Sequence, residues 1–457
     1  MKSADRIAFI VATAFFMQNL DGTIIVTALP AMAKGFGIEP VAMSIGITAY
    51  LLSLAAFVPV SGWVADRLGA RNVFAAAVAV FTVASLLCAL SPHLSAFVAA
   101  RILQGFGGAL MLPVGRLIVL KNSSKAELLR SISMITWPGL VAPVLGPPLG
   151  GFLTLHASWE WIFLFNLPIG IAGVAAILRW IPVEKPPERR PFDMTGFLLS
   201  GLALMALLYG LEALGRSGAD WRLSLGEVAA GLVLGALAVR HFRRSQHPLI
   251  DLAAMRRKTF VMSAIGSGTV FRAATAAMPF LIPLFFQLGL GLDAFQAGLL
   301  LLVYFAGNLA MKSVTTPILQ RFGFRPVLLW NGIAAALTMG GFAFIDAGTP
   351  FLATGILLLV SGMTRSLQFT SLNTLAFADL EGPERGPAAT LSAMTQQIAA
   401  CLGIALASGL LTLSKVLVTP ATRDFHIAFL VVGALGLVSA LRFLAIPPNA
   451  GQSVTQS

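Results

Sequence analysis

Phe15 to Pro30, FFMQNLDGTIIVTALP, decides how the rest of the chain is read. It lies in the first long apolar run, from Ile7 to Ala33, and holds one carboxylate, Asp21. A run of that length lets a helix cross a hydrocarbon layer of roughly 30 Å at 1.5 Å per residue. A carboxylate in such a helix is costly, so it normally faces a protein interior or a water-filled path and has a function there. The alternative is a buried structural hydrogen-bonder or a wet helix end.

Composition sets the class. Of 457 residues, 57% are hydrophobic and 11% charged, with mean hydropathy +0.86, whereas a soluble domain carries about 25% charged residues. The chain therefore reads as a polytopic membrane protein. The net charge of +12 raises nucleic acid as a partner, but the Lys and Arg fall mainly in alternate short loops, where positive charge sets membrane orientation. Cys88 and Cys401 lie in different apolar runs and read as small buried thiols. The first run has no small-residue cleavage site after a short core, so it reads as a retained span.

Breaking the apolar runs at charged, Pro-rich or Gly-rich loops gives fourteen spans: 7–33, 41–65, 73–91, 94–118, 131–155, 161–181, 195–214, 223–241, 259–288, 295–316, 326–346, 351–377, 386–414 and 425–446. The even number puts both termini on one side, and the Lys and Arg distribution makes that side the cytoplasm.

A repeat then decides the architecture. Arg67-Leu68-Gly69-Ala70-Arg71 follows span two, and Arg321-Phe322-Gly323-Phe324-Arg325 follows span ten. Span one begins at 7 and span nine at 259, so spans one to six and nine to fourteen form similar halves. The expected organisation is all-α: a six-helix half over 1–181, a linker with two inserted helices over 182–258, a second six-helix half over 259–446, and a cytoplasmic tail over 447–457. Two such halves flanking a midplane cavity work by rocking against each other.

At this point the sequence resembles the fourteen-span drug:proton antiporters of the major facilitator superfamily, the EmrB/QacA type. Leu20-Asp21-Gly22-Thr23-Ile24-Ile25-Val26 with Ala28-Leu29-Pro30 is similar to that family's first-helix signature, with Thr27 where Asn is common. Gly62-Trp63-Val64-Ala65-Asp66-Arg67-Leu68-Gly69-Ala70-Arg71 looks like the superfamily's loop motif, and Arg101-Ile102-Leu103-Gln104-Gly105-Phe106-Gly107 like the motif with a buried Arg. GLVAPVLGPPLGG, Gly139 to Gly151, resembles the antiporter motif of span five. Trp159-Glu160-Trp161-Ile162-Phe163 with Asn166, Pro168 and Gly170 is similar to the sixth-span signature, with Glu160 where Arg is usual. The resemblance implies the major facilitator fold and a proton-coupled exporter of the bacterial inner membrane, monomeric and without cofactor.

Each motif also has a physical reading. Asp66, Arg67 and Arg71, with Gly62 and Gly69, sit where helix ends meet the cytoplasm, and charge-assisted hydrogen bonds there can form and break as halves rock. They read as a conformational latch; plain topology signalling accounts for the two Arg but not for Asp66 or the glycines. In span five Gly139, Gly146 and Gly150 allow close helix approach, and Pro143 and Pro147 remove backbone donors. That reads as a seal, or equally as ordinary packing with a kink.

The charges inside spans are Asp21, Arg101, Arg272, Lys312 and Arg365. Counting at about 1.5 Å per residue puts Asp21, Arg101 and Arg272 near one depth, so Asp21 and Arg101 are expected to meet. Burial disfavours a charged carboxylate and a neighbouring Arg favours it, so rearranging the pair would load and release a proton. Asp21 is the expected proton carrier and Arg101 its partner. The expected substrate cavity is lined by Gln104, Arg272, Asn308, Lys312, Arg365, Gln368 and Asn373, a mix suited to amphiphilic molecules. Four bases against one acid favour neutral or anionic compounds over the lipophilic cations typical of the family.

Multidrug-type export thus stands beside export of an organic anion or metabolite, and beside uptake symport on the same fold. The five His show no metal-ligand spacing and no catalytic cluster, so neither an enzyme nor a metal site is expected. No phosphate-cradling Gly-Lys-Ser/Thr loop supports an ATP-driven pump.

Overall fold

The computed structural model describes residues 3–123, 125–183, 191–214, 220–380, 382–417, 421–448 and 450–451. Residues 184–190 of the expected linker and 452–457 of the expected tail lie outside them. All regular structure among the described residues is helical, and the chain divides into two units, Met1–Phe197 and Leu198–Ser457.

The first unit holds α1 (Ser3–Phe36), α2 (Ser44–Phe57), α3 (Val60–Leu68), α4 (Ala70–Ala89), α5 (Leu94–Lys121), α6 (Lys125–His156), α7 (Trp161–Leu164) and α8 (Asn166–Trp180). The division falls within α9 (Met194–Leu214). The second unit continues with α10 (Trp221–Arg244), the short α11 (Lys258–Phe260), α12 (Ser267–Leu284), α13 (Ala294–Phe322), α14 (Phe324–Gly341), α15 (Phe351–Ala378), α16 (Gly382–Leu417) and α17 (Ala421–Arg442).

Among the described residues, 13 stretches are long and apolar enough to cross a membrane, each matching an expected span. The remaining span, 131–155, lies in α6, whose 32 residues run through Pro138, Pro143, Pro147 and Pro148. This is a multi-pass membrane protein. Three spans are interrupted where one helix each was expected. Span two breaks between Phe57 and Val60, where Pro59 has no N–H to donate. Span six breaks at Phe165. Span nine enters through a π-helical turn, Val261–Ile265, and restarts after Gly266.

The sequence repeat is present in the helix pairing. In the first unit α1 packs on α6, α5 and α8, α2 on α5, and α4 on α5 and α8. In the second, α12 packs on α16, α15 and α17, α13 on α15, and α14 on α15 and α17. The two Arg-apolar-Gly-X-Arg segments make the same corner. Gly69 has φ 84° and ψ 133° between α3 and α4; Gly323 has φ 74° and ψ 171° between α13 and α14. Each donates its N–H back to the helix before it, to Ala65 O at 3.0 Å and Leu319 O at 2.9 Å. A side chain is strained in that region of φ, so glycine is required at both.

α9 and α10 approach so closely that a Cβ on Gly210 would stand 2.8 Å from Ser224 O and one on Gly231 2.6 Å from Leu207 N. Only 17% of the most apolar window of α10 is buried, against 72% for Lys258–Gly289. These two helices pack closely on each other, and most of the residues in their apolar windows are not buried.

Candidate functional site

In the first unit, α5 and α8 bring polar side chains to Asp21 at the middle of α1, and α4 supports them. Arg101 of α5 donates from Nη1 to Asp21 Oδ2 at 2.7 Å, and neither side chain has solvent exposure. Gln104, one turn along α5 on the same face, donates from Nε2 to Asp21 Oδ1 at 2.8 Å, and Asn166 at the start of α8 donates from Nδ2 to the same oxygen at 3.0 Å. Both amides also donate to the hydroxyl of Ser85 on α4, at 2.8 and 3.2 Å, and that hydroxyl donates to Phe81 O at 3.0 Å. Every Asp21 oxygen therefore accepts a hydrogen bond, as a buried carboxylate requires.

Arg101 is held from several sides. Its Nε donates to Gly46 O at 3.2 Å, Nη1 also reaches Gln104 Oε1 at 2.5 Å, and the guanidinium lies over the Tyr50 ring, 4.3 Å from its centroid. A cation over an aromatic face is stabilised, more so away from water. Phe163, its ring centroid 5.9 Å from the same guanidinium, packs on Phe97, and Trp159 joins both. These rings form an apolar wall beside the pair, which keeps the local dielectric low and the interaction strong.

α6 seats its glycines on α1 immediately after Asp21. A Cβ on Gly146 would stand 2.3 Å from Thr23 Oγ1, and one on Gly150 would stand 2.4 Å from Ile24 O. Thr27 donates to Pro147 O at 3.2 Å. Pro143 is half-buried, Pro147 buried, and Gly139 is exposed with nothing near it. The small residues of α6 thus set the distance to the helix that carries the acid.

Among the expected latch residues, Arg67 lies over its neighbour Trp63, 5.3 Å from the ring centroid. Arg71 donates from Nη2 to Leu178 O, tying the start of α4 to the end of α8. Asp66 is half-buried and pairs with no described cation, and Gly62 has open space around it. In the second unit, where helix ends carry charge, Arg257 makes a bidentate contact to Glu384 at 3.1 and 3.2 Å, and Thr259 donates to Asp379 at 2.8 Å.

The residues expected to line a substrate path divide into three groups. Gln104 is committed to Asp21. Gln368 is fully buried and donates to Leu328 O at 2.9 Å while accepting from Asn331 at 2.9 Å, which ties α15 to α14. Arg272, Asn308, Lys312, Arg365 and Asn373 share the region of α12, α13 and α15. Arg272 donates from Nη2 to Asn373 Oδ1 at 3.0 Å and from Nη1 to Ser263 O at 2.5 Å, a carbonyl of the π-helical turn. Arg365 lies over the Tyr304 and Phe305 rings at 5.8 and 5.7 Å. Asn308 and Lys312 are half-buried on α13.

Sequence reasoning paired Asp21 with Arg101 but missed Ser85 and Asn166 as members of the same network. The available signal was their polarity within otherwise apolar spans. Among the described residues no group of His, Cys, Asp or Glu has the placement to hold a metal ion.

Known proteins share this architecture. The chain is 39% identical over 404 residues, 88% of this chain and 85% of the relative, to a Salmonella paratyphi A protein named "Putative multidrug resistance protein MdtD". A Klebsiella pneumoniae protein of the same name is 38% identical over 448 residues, covering 97% and 95%. Among solved structures, a D-xylose-proton symporter superposes with a TM-score of 0.71 at 14% identity, covering 98% of both chains. The POT family transporter PepTSo superposes at 0.68 and 14% identity, covering 96% of this chain and 97% of that one. The model of the Major Facilitator Superfamily matches residues 11–404. The chain is a membrane transporter and belongs to the major facilitator superfamily.

Proposed function

We propose that the protein exports small amphiphilic organic compounds in exchange for protons, by alternating access, with Asp21 carrying the proton. The observation that carries this reading is the fully buried Asp21–Arg101 ion pair at 2.7 Å within membrane-spanning helices. A buried pair of this kind is weak evidence for stability alone, because desolvation offsets much of the attraction. As a coupling device it has a clear logic. Oδ2 is held by Arg101 and Oδ1 by two amides. A proton arriving at Oδ2 displaces Arg101, whose freed guanidinium must find other partners, and the rearrangement is transmitted through α5. The relatives named for multidrug resistance support the direction and the broad substrate class. In this reading both termini are cytoplasmic, the membrane is the bacterial inner membrane, a monomer suffices, and Gly62, Asp66, Arg67, Gly69 and Arg71 act as a latch.

The test is a pH-gradient assay in energised inverted vesicles, with cationic, neutral and anionic compounds added in turn. Antiport predicts that substrates collapse the gradient. No response to any compound, or a response only when substrate is loaded inside, contradicts it. Export of an organic anion is the second reading, favoured by Arg272, Lys312 and Arg365, which pair with no carboxylate among the described residues.

A further inference from the structure

Resting on the transporter reading above, we propose that the second unit holds an anion-binding site for an organic carboxylate with an apolar body, formed by Arg272, Arg365 and Lys312. Three observations meet there. First, no carboxylate pairs with any of these three among the described residues, whereas Arg101 in the first unit has Asp21. Lys312 stands on α13, the same helix whose Tyr304 and Phe305 rings carry Arg365. An uncompensated charge taken out of water is costly, and a bound anion removes that cost.

Second, buried polar atoms at Arg272 are left over. After its bonds to Ser263 O and Asn373, Arg272 Nε has no partner among the described residues, and neither does the hydroxyl of Ser263. Arg272 is 4% exposed and Ser263 0%. Buried donors without acceptors mark places for a ligand or water; Arg101 Nη2 in the first unit is another, but that guanidinium already holds a carboxylate. The π-helical turn presents Ser263 O to Arg272 and so fixes one edge of the guanidinium while Nε remains available.

Third, the spacing defines the shape of the ligand. Arg365, Phe369 and Asn373 recur every four residues along one face of α15, so the two ends are separated by about 12 Å at 1.5 Å per residue. Arg272 sits at the Asn373 end, within 6.0 Å of the Phe369 ring, which is exposed. Arg365 sits at the other end against Tyr304 and Phe305. Cations at both ends of an aromatic surface fit a carboxylate at one end and an apolar body along Phe369.

The test uses the purified full chain in detergent and three probes that share one fluorophore: dansylglycine, an anion; its methyl ester, neutral; and dansylcadaverine, a cation. Dansyl emission should report dansylglycine binding at least about ten-fold tighter than either other probe. Arg365→Gln and Arg272→Gln should each weaken dansylglycine about ten-fold, with Arg365→Lys recovering part of the loss. If Arg272→Gln does not fold, Arg365→Gln decides. Equal binding of the three probes, tighter binding of the cation, or an unchanged affinity in Arg365→Gln overturns the proposal. Dansylglycine binding with no proton flux for any compound leaves the site standing and removes antiport; cation-driven proton flux with no dansylglycine binding does the reverse.

Discussion

Asp21 on α1 and Arg101 on α5, 80 residues apart in the chain, meet at 2.7 Å with both side chains fully excluded from solvent. Arg101→Gln leaves the carboxylate without its countercharge, and removing one partner of a buried pair costs about 3–5 kcal/mol. Arg101→Lys keeps the charge but loses the Nε bond to Gly46 and the planar contact with Tyr50. Thermal melts in detergent should therefore rank wild type above Lys and Lys above Gln. Equal melting of the three would show that the pair does not support the fold.

Asn166 is the second donor on Asp21 Oδ1, shared with Gln104. A hydrogen bond to a charged acceptor contributes about 1.5–3 kcal/mol, so Asn166→Leu should lower stability by that order and reduce proton-driven transport. Transport unchanged in that variant would mean that α8 contributes packing to the site and nothing to its chemistry.

The glycines of α6 are expected to behave unequally. Gly150→Ala places a Cβ 2.4 Å from Ile24 O and 2.5 Å from Thr27 Oγ1, and overpacking of this kind costs about 1–3 kcal/mol. Gly139→Ala meets nothing within 4 Å and should be within about 0.5 kcal/mol of wild type. Comparable destabilisation by both would contradict the role of α6 as a fitted partner of α1.

The corner glycine provides a similar contrast. Gly69→Ala forces a side chain into φ 84° and should cost about 1–3 kcal/mol, while Gly62→Ala has open space and an ordinary helical backbone. If Gly62→Ala nevertheless lowers transport at unchanged stability, its contribution belongs to a state other than this one.

Much of this was legible in the sequence because membrane spans are long and apolar and because the Arg-apolar-Gly-X-Arg segment occurs twice, at corresponding helix corners. Asp21 and Arg101 could be paired from depth alone, since one rise per residue converts span position into height. Rotation about each helix axis is what depth does not give. Gln104 shares a face with Arg101 and therefore turns to Asp21, although its polarity equally suited a substrate path. Gln368 suits the cavity by polarity for the same reason, and the structure shows it bridging α15 to α14. The break at Gly266 was hidden because Val261 to Ile265 is as apolar as a continuous span; what distinguishes it is a change of hydrogen-bond register that leaves Ser263 O to Arg272.

Whether Asp21 carries the proton is decided by Asp21→Asn in reconstituted vesicles under an imposed pH gradient. The amide is nearly the same shape and cannot release a proton. The variant should insert but melt below wild type, because Arg101 loses its countercharge, and should give no substrate-dependent proton flux; proton flux at the wild-type rate would contradict proton carriage by Asp21.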